Sequence, residues 1–333
     1  MTRLLSCAVL LATVSVARAG DPQRFEYEEP HMGTKFRVVL YAADKETGDK
    51  AAKAVFARVE ELNRIMSDYI PESELMQLCK KSATKPGGPV KVSDDLFFVL
   101  EKGQEVAALS DGAFDMTVGP IVRLWRQARK DRVLPDKEVL AEALQRVGYK
   151  HMELDAKART VNLKVAGMQL DLGGIAKGFA ADEGIKVLEK RGITSALVAA
   201  SGDIAVSAPP PGKPGWRIDI DPLPGAKEKR QLILRDAAVS TSGDSEQFVE
   251  IAGVRYSHVV DPKTGLGLTG RRSVTVVARR GIQADSLTKV ASIMPPDKAI
   301  EKIESIEGAA TWIAVKGEAG KESKGFAKWL AMD

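Results

Sequence analysis

The sequence predicts an α+β fold, with a largely antiparallel or mixed sheet and flanking helices. Helical patterns concentrate in the first half of the chain, and strand-like runs concentrate after His151. This segregation favours α+β over a doubly wound parallel sheet, in which strands and helices alternate. The 333 residues, 44% hydrophobic and 28% charged, are enough to bury a full core.

The first half of the chain predicts one strand followed by several helices. Residues 36–41 read as a strand, and residues 46–66 read as a helix whose apolar face carries Val55, Val59, Leu62 and Met66. Ser93, followed by two aspartates, is typical of a helix start. That helix is predicted to run to Asp111, and further helices are predicted at 121–130 and 136–147.

The second half predicts a hairpin and a series of strands. Residues 151–165 read as the hairpin. The strand-like runs are 195–200, 216–221, 231–235, 247–251 and 273–279. The proline-rich segment 209–214 is too short to be a domain linker, so residues 20–333 are expected to form a single domain.

The N-terminus predicts a secretory signal peptide. Arg3 precedes an apolar run over residues 4–17, and Ala17-Arg18-Ala19 forms a small-residue cleavage site. Residues 1–19 are therefore expected to be cleaved and the protein to be exported to the periplasm without a stable transmembrane anchor. The alternative, an uncleaved membrane helix, needs roughly 20 apolar residues and this run is shorter.

Cleavage would also change the net charge and the number of cysteines. Loss of Arg3 and Arg18 lowers the formal net charge of +4 by two, so no strongly basic surface argues for nucleic-acid binding. Cys7 would leave with the signal, so that Cys79 is the only remaining cysteine. An internal disulfide and a cysteine-rich metal site are then excluded.

One of three histidines, His258, stands at the end of a strand-like run and just before Asp261-Pro262. A strand can set the direction in which the imidazole points, and a turn fixed by proline can set how far it reaches. His258 is therefore a candidate general base. An ordinary strand end with a structural histidine remains the alternative from this segment alone.

Glycine-rich turns supply a candidate anion site. Residues 170–178 read as a short strand that passes through Gly173 and Gly174 into a helix carrying Lys177. Exposed N–H groups at a helix start, with a lysine, suit a phosphate or pyrophosphate. A purely structural turn is equally compatible, and neither the Rossmann nor the Walker pattern is present. Residues 201–203 and 240–244 likewise predict polar tight turns after strands.

A candidate cation site follows near residue 285. If a helix starts here, Asp285 and Thr288 project side by side and offer a carboxylate and a hydroxyl oxygen, which Mg²⁺ prefers. Alternatively, Asp285 is only the helix N-cap.

Taken in order, these motifs resemble the ApbE family of FAD:protein FMN transferases. The matching segments are 32–34, 66–69 with 73–75, 112–115 with 117–120 and 124–125, 171–178, 240–244, 256–265 and 284–285. The resemblance implies a T-fold-like domain that transfers FMN from FAD to a Thr or Ser hydroxyl of a partner protein and releases AMP. It implies an acceptor segment of the type D-x-x-[ST]-G-A-T.

The resemblance also implies residue roles. His258 would be catalytic, and Mg²⁺ would be held by Gly174, Asp285 and Thr288. The FAD cleft would be formed by Met32, Tyr69, Ala113, Phe114, Asp115, Asp171, Lys177 and Val259.

Two departures from the family pattern bear on these roles. The family usually has Thr four residues after the Asp, where this chain has Lys289, and an ammonium there would repel Mg²⁺ or replace it. Residues 199–203 replace the usual N-A-G-G-D. Two alternatives remain: a metal-dependent FAD pyrophosphatase, which some family members resemble, and a non-catalytic flavin-binding protein, which Lys289 favours.

Overall fold

The computed structural model describes residues 21–220, 230–243 and 248–331. The predicted signal peptide, Asp221, Asp244 and Gln247 lie outside the described residues. The strands are β1 (Gln23–His31), β2 (Thr34–Ala42), β3 (Val90–Lys91), β4 (Met152–Asp155), β5 (Thr160–Leu163), β6 (Ala196–Ala200), β7 (Asp203–Val206), β8 (Trp216–Ile220), β9 (Arg230–Leu234), β10 (Ala237–Gly243), β11 (Phe248–Ile251), β12 (Val254–Val260), β13 (Gly267–Thr269), β14 (Arg272–Ala278), β15 (Ala310–Val315) and β16 (Lys321–Glu322).

The helices pack mainly against one sheet. They are α1 (Lys45–Met66), α2 (Glu74–Lys81), α3 (Asp94–Leu109), α4 (Gly119–Asp131), α5 (Lys137–Leu144), α6 (Ala176–Glu189), α7 (Gly281–Ile293) and α8 (Pro296–Glu304). Over the described ranges, none of these helices is both long enough and apolar enough to span a membrane.

The main sheet has eight strands in the order β1-β2-β6-β7-β10-β14-β15-β16, and every neighbouring pair is antiparallel. This confirms the α+β, antiparallel prediction. The hairpin predicted at 151–165 is β4 and β5, which pair antiparallel and are joined by β3 into a small separate sheet.

Both faces of the main sheet are buried. On one face, α1, α3, α6 and α7 cover a large core that includes Val38 of β2, Val198 of β6 and Val276 of β14. On the other face, the β8–β9 ribbon and Phe326 cover a second core. Burial on both faces explains why β6 is apolar along its whole length rather than alternating.

A three-stranded sheet of β11, β12 and β13 stands apart from the main sheet. It packs on α4 and α5 around a third core that contains Ile121, Trp125 and Val260. The indole Nε1 of Trp125 donates a hydrogen bond of 3.1 Å to the carbonyl oxygen of Ser257. Helix α4 therefore fixes the strand that carries His258.

Three local predictions need correction. Before Gly173 there is no strand but an isolated bridge between Val118 and Gln169. Residues 240–243 do not form a turn, because they continue β10 and pair with β14. Asp285 is not an N-cap, because α7 begins at Gly281 and Asp285 lies in its second turn.

Candidate active site

Several predicted site segments meet at one end of the main sheet. Met32 lies in the β1–β2 turn, half-buried and with a positive φ of 48°. The β6–β7 turn lies at the same end, because Phe36 pairs with Ala200 and Asp203 pairs with Ser240. Antiparallel pairing thus gathers turns that are far apart in sequence.

The β6–β7 turn explains one departure from the family pattern. Ser201 has a φ of 57°, the left-handed conformation that favours glycine. The backbone therefore keeps the shape that a glycine at this position would give. Gly202 passes directly over β10, since a Cβ on it would lie 2.8 Å from the carbonyl oxygen of Thr241.

Lys177, in the first turn of α6, is tied to this sheet end. Its Nζ lies 2.5 Å from Oδ2 of Asp203, and the hydroxyl of Ser240 donates to the other oxygen, Oδ1, at 2.5 Å. Burial alone would lower the pKa of Lys177, but Asp285 and Asp203 outweigh burial and raise it. Lys177 is therefore a fixed positive charge.

The N-terminus of α6 has no side-chain cap. The N–H groups of Gly173 and Gly178 already donate to Asp171 and Asp285, and that of Ala176 donates to the carbonyl oxygen of Leu172. The positive charge at this helix start therefore comes from Lys177 and the helix dipole rather than from open N–H donors.

Asp285 of α7 is fully buried and its two oxygens have different partners. Oδ2 accepts a hydrogen bond of 3.1 Å from the N–H of Gly178 and lies 3.9 Å from Nζ of Lys177. Oδ1 lies 3.0 Å from Nζ of Lys289. Burial raises the pKa of Asp285, but the two ammonium groups outweigh burial and hold it below its ordinary value.

Lys289 brings the three predicted metal ligands together around its own side chain. Its Nζ donates to Oγ1 of Thr288 at 2.9 Å as well as to Asp285. Its stem lies against Gly174, where an added Cβ would be 3.0 Å from Cγ of Lys289 and 3.5 Å from Cε2 of Phe114.

These residues do not fit a magnesium ion. Mg²⁺ needs oxygen ligands at about 2.0–2.1 Å, whereas the ammonium of Lys289 takes both Asp285 Oδ1 and Thr288 Oγ1. The hydroxyl proton of Thr288 is also used, in a 2.7 Å bond to the carbonyl oxygen of Asp285. Among the described residues, no group of three or more His, Cys, Asp or Glu side chains could hold a metal.

A second group links Tyr69 to Asp171. The guanidinium of Arg126 lies 4.3 Å above the Tyr69 ring and donates to Oδ2 of Asp171 at 2.7 Å. Arg126 also pairs with Asp68. Tyr69 is 74% exposed, so one face of an aromatic ring is held rigidly but open to a ligand.

Asp171 supports the glycine turn beside it. Its Oδ1 accepts from the N–H of Gly173 at 2.8 Å, and its own N–H donates to the carbonyl oxygen of Met116. Burial, followed by the charge of Asp68, raises the pKa of Asp171, while Arg126 opposes the shift.

The predicted cleft residues around position 115 have a structural place. Asp115 is buried and accepts from the N–H and the hydroxyl of Thr117, each at 2.7 Å, and from the N–H of Tyr149 at 2.8 Å. Burial raises its pKa. Ala113 and Phe114 are also buried, and Phe114 is the one that reaches the Gly174–Lys289 contact.

His258 and Val259 are half-buried in β12 of the small sheet. Val259 and Ser257 line a cavity of about 270 Å³ together with Ser242 and Gly243 of β10. Strand β10 therefore runs from Ser240, which contacts Asp203 beside Lys177, to the cavity beside the strand that carries His258. Asp261 accepts from the N–H of Lys263 at 2.8 Å, which fixes the turn after β12.

Two residues with clear roles at this site were not predicted as site residues. Arg126 joins Asp68 and Asp171, and Asp203 joins Lys177 and Ser240. For Asp203 the turn motif at 201–203 was a signal. For Arg126 no local signal exists, because both partners are more than 40 residues away.

Comparison with known proteins supports the family resemblance. A model of the ApbE family matches residues 32–313. The FAD:protein FMN transferase of Treponema pallidum is 33% identical and the match covers 83% of this chain and 80% of that protein. The FAD:protein FMN transferase of Haemophilus influenzae is 30% identical, with 98% of each protein covered.

Solved structures show the same architecture. The ApbE protein of Thermotoga maritima superposes with a TM-score of 0.83 at 29% identity, covering 93% of this chain and all of that one. The flavinyl transferase ApbE of Pseudomonas stutzeri, in its apo form, gives 0.81 at 26% identity over 94% and 98% of the two chains. The family model and the near-complete overlap in sequence and structure lead to one conclusion: this chain belongs to the ApbE family.

Proposed function

We propose that this protein is an FAD:protein FMN transferase, which moves FMN from FAD to a hydroxyl of a partner protein. The observation that carries the proposal is the position of two ammonium groups, those of Lys177 and Lys289, around Asp285 at the glycine-rich start of α6. This positive site suits a pyrophosphate. The names of the relatives described above support flavin transfer as the chemistry.

The reaction exchanges the phosphoanhydride bond of FAD for a phosphoester bond to the acceptor. The oxygen of a Thr or Ser hydroxyl bonds to the FMN phosphorus, and the bond from that phosphorus to the bridging oxygen breaks. AMP leaves with the electron pair. The hydroxyl proton passes to a ring nitrogen of His258, whose ordinary pKa near neutrality suits a general base.

The remaining cleft residues would position the flavin and neutralise charge. Little covalent chemistry is asked of the enzyme in phosphoryl-type transfer, so positioning and electrostatics carry most of the rate. Lys177 would contact the pyrophosphate, and the exposed ring of Tyr69, held by Arg126, would stack on an aromatic ring of FAD. Met32, Ala113, Phe114, Asp115, Asp171 and Val259 complete the proposed cleft.

Magnesium, predicted from the resemblance, is not part of this mechanism. Gly174, Asp285 and Thr288 are adjacent, but Lys289 engages the ligand oxygens that Mg²⁺ would need. The neutralisation of negative charge on the pyrophosphate is therefore assigned to side chains of this protein alone.

The compartment is proposed from the sequence, and the acceptor from the family resemblance. The signal peptide predicted over residues 1–19 supports export to the periplasm. The acceptor would be an exported protein with a D-x-x-[ST]-G-A-T segment.

Product analysis separates this function from hydrolysis and from binding alone. The purified protein is incubated with FAD and Mg²⁺ and with an acceptor peptide carrying the segment, or with a matched peptide in which the acceptor Thr is Ala. A transferase adds FMN to the first peptide only and releases AMP. A pyrophosphatase releases FMN and AMP with either peptide, and a flavin-binding protein releases neither. Either of the last two results would refute the proposal.

A further inference from the structure

The ammonium of Lys289 occupies the position between two potential metal ligands. It lies 3.0 Å from Oδ1 of Asp285 and 2.9 Å from Oγ1 of Thr288. It is also 3.5 Å from the carbonyl oxygen of Asp285. Carboxylate, hydroxyl and carbonyl oxygens are the ligand types that Mg²⁺ also takes, but here they lie at hydrogen-bond distances from an ammonium.

The charges of the cluster balance without a metal. Asp285 and Asp203 supply two negative charges, and Lys177 and Lys289 supply two positive ones. A divalent cation added to this cluster would stand within a few ångströms of two ammonium groups, and such repulsion is strong in a buried site. A neutral side chain at position 289 would instead leave the cluster with one unbalanced negative charge.

The surroundings hold Lys289 in place. Its side chain is 17% exposed, and a Cβ on Gly174 would lie only 3.0 Å from Cγ of Lys289, so the glycine allows the stem to approach closely. Gly174 lies between this stem and Phe114, a residue of the proposed FAD cleft. The ammonium is thus fixed by the protein beside the proposed cleft.

From this geometry we infer that Lys289 is a built-in substitute for the divalent cation, so that this enzyme transfers FMN without a metal. The inference rests on the proposed function. When the bond from the FMN phosphorus to the bridging oxygen breaks, negative charge grows on the departing AMP. The ammonium of Lys289 offsets that charge, as a preorganised cation does in other phosphoryl-transfer sites.

The test compares three forms of position 289 with and without metal. Wild type, Lys289→Thr and Lys289→Met are freed of metal, and FMN transfer is measured in chelator and in excess Mg²⁺. Lys298→Thr, on the exposed face of α8, is the matched control for loss of a lysine. Mg²⁺ binding to each FAD-loaded protein is measured separately by titration calorimetry.

The inference predicts that wild type and Lys298→Thr transfer FMN equally well in chelator and in Mg²⁺, and that neither binds Mg²⁺. Lys289→Thr should lose about 100-fold in chelator, the usual scale for a lost charge-stabilising group, and should recover in Mg²⁺ with a measurable binding isotherm. Lys289→Met, which offers no oxygen, should lose as much and not recover.

Chelator-sensitive wild type restored by Mg²⁺ would overturn the inference, and so would full activity of Lys289→Met in chelator. If no protein transfers FMN under any condition, the proposed function fails. The calorimetry then decides the role of Lys289 alone: Mg²⁺ binding to Lys289→Thr but not to wild type supports the substitution, and equal binding refutes it.

Discussion

Gly178 of α6 and Gly281 of α7 bring the backbones of two helices into direct contact. A Cβ built on either glycine would clash with the carbonyl oxygen of the other. This close approach lets the N–H of Gly178 reach Oδ2 of Asp285. It also lets Asp182 of α6 accept from the N–H groups of Gly281 and Ile282 at 2.7 and 3.1 Å, and so cap α7. The helix crossing therefore positions Asp285 in the candidate active site.

Gly178→Ala should therefore destabilise the protein by about 2 kcal/mol, because the clashing atoms are backbone and cannot rotate away. Gly184→Ala, in the same helix, is the control, since its Cβ would meet only methyl carbons of Val198 and Val55, the nearest at 3.0 Å. Denaturant unfolding measures both. Equal stabilities of the two variants would contradict the tight crossing.

Asp285 should be coupled energetically to Lys289. Asp285→Ala leaves two ammonium groups without their shared anion in a buried site, and we expect a loss of about 3 kcal/mol or more. Adding Lys289→Met should restore part of that stability, because one uncompensated charge is removed. A double-mutant cycle by urea unfolding tests this, and strictly additive effects would count against the pair.

The free energy of unfolding should fall at high pH because of the buried thiol of Cys79. Cys79 is 3% exposed, and burial raises the pKa of its thiol from 9.0 to about 11. Between these pH values the unfolded chain loses the thiol proton and the folded chain keeps it, so folding stability falls as pH rises from about 9 to about 11. The Cys79→Ala variant should lack this fall, which approaches about 3 kcal/mol for two pKa units.

Unfolding free energies of wild type and Cys79→Ala at pH 8, 9, 10 and 11 give the difference directly. The groups that titrate in both proteins cancel in the comparison. A constant difference across this range would show that the thiol is not protected from ionisation in the folded protein.

Local patterns were enough to predict most elements of the fold. Helix α1 was predicted because its apolar residues repeat at the helical period. The start of α3 was predicted because Ser93 is an N-cap residue, and its side chain accepts a hydrogen bond from the N–H of Leu96. The motif order indicated which segments approach one another. Each of these signals lies within a short stretch of sequence.

Long-range contacts could not be predicted in this way. Residues 240–243 read as a turn from their polarity, but pairing of β10 with β14 makes them a strand. Asp182 caps α7 although 99 residues separate it from Gly281. The same holds for Arg126, whose partners are set by the packing of α4 and not by its neighbours in sequence.

The mature protein should begin at or near Gly20, because the small-residue cleavage site follows an apolar run of signal length. Mass spectrometry of the exported product measures this. Ala19→Arg, which replaces the small residue before the cleavage point, should leave the precursor uncut. Retention of Met1 in the wild-type product, or a lipid on Cys7, would contradict the prediction.

The most direct test of the mechanism is the rate of FMN transfer by wild type and His258→Ala at equal FAD occupancy. FAD affinity should stay nearly unchanged, because the proposed pyrophosphate contacts come from α6 and α7. Transfer to the acceptor should fall about 100-fold or more, the scale expected for loss of a general base. Undiminished transfer by His258→Ala at saturating FAD, with only the affinity reduced, would show that His258 binds flavin and is not the base.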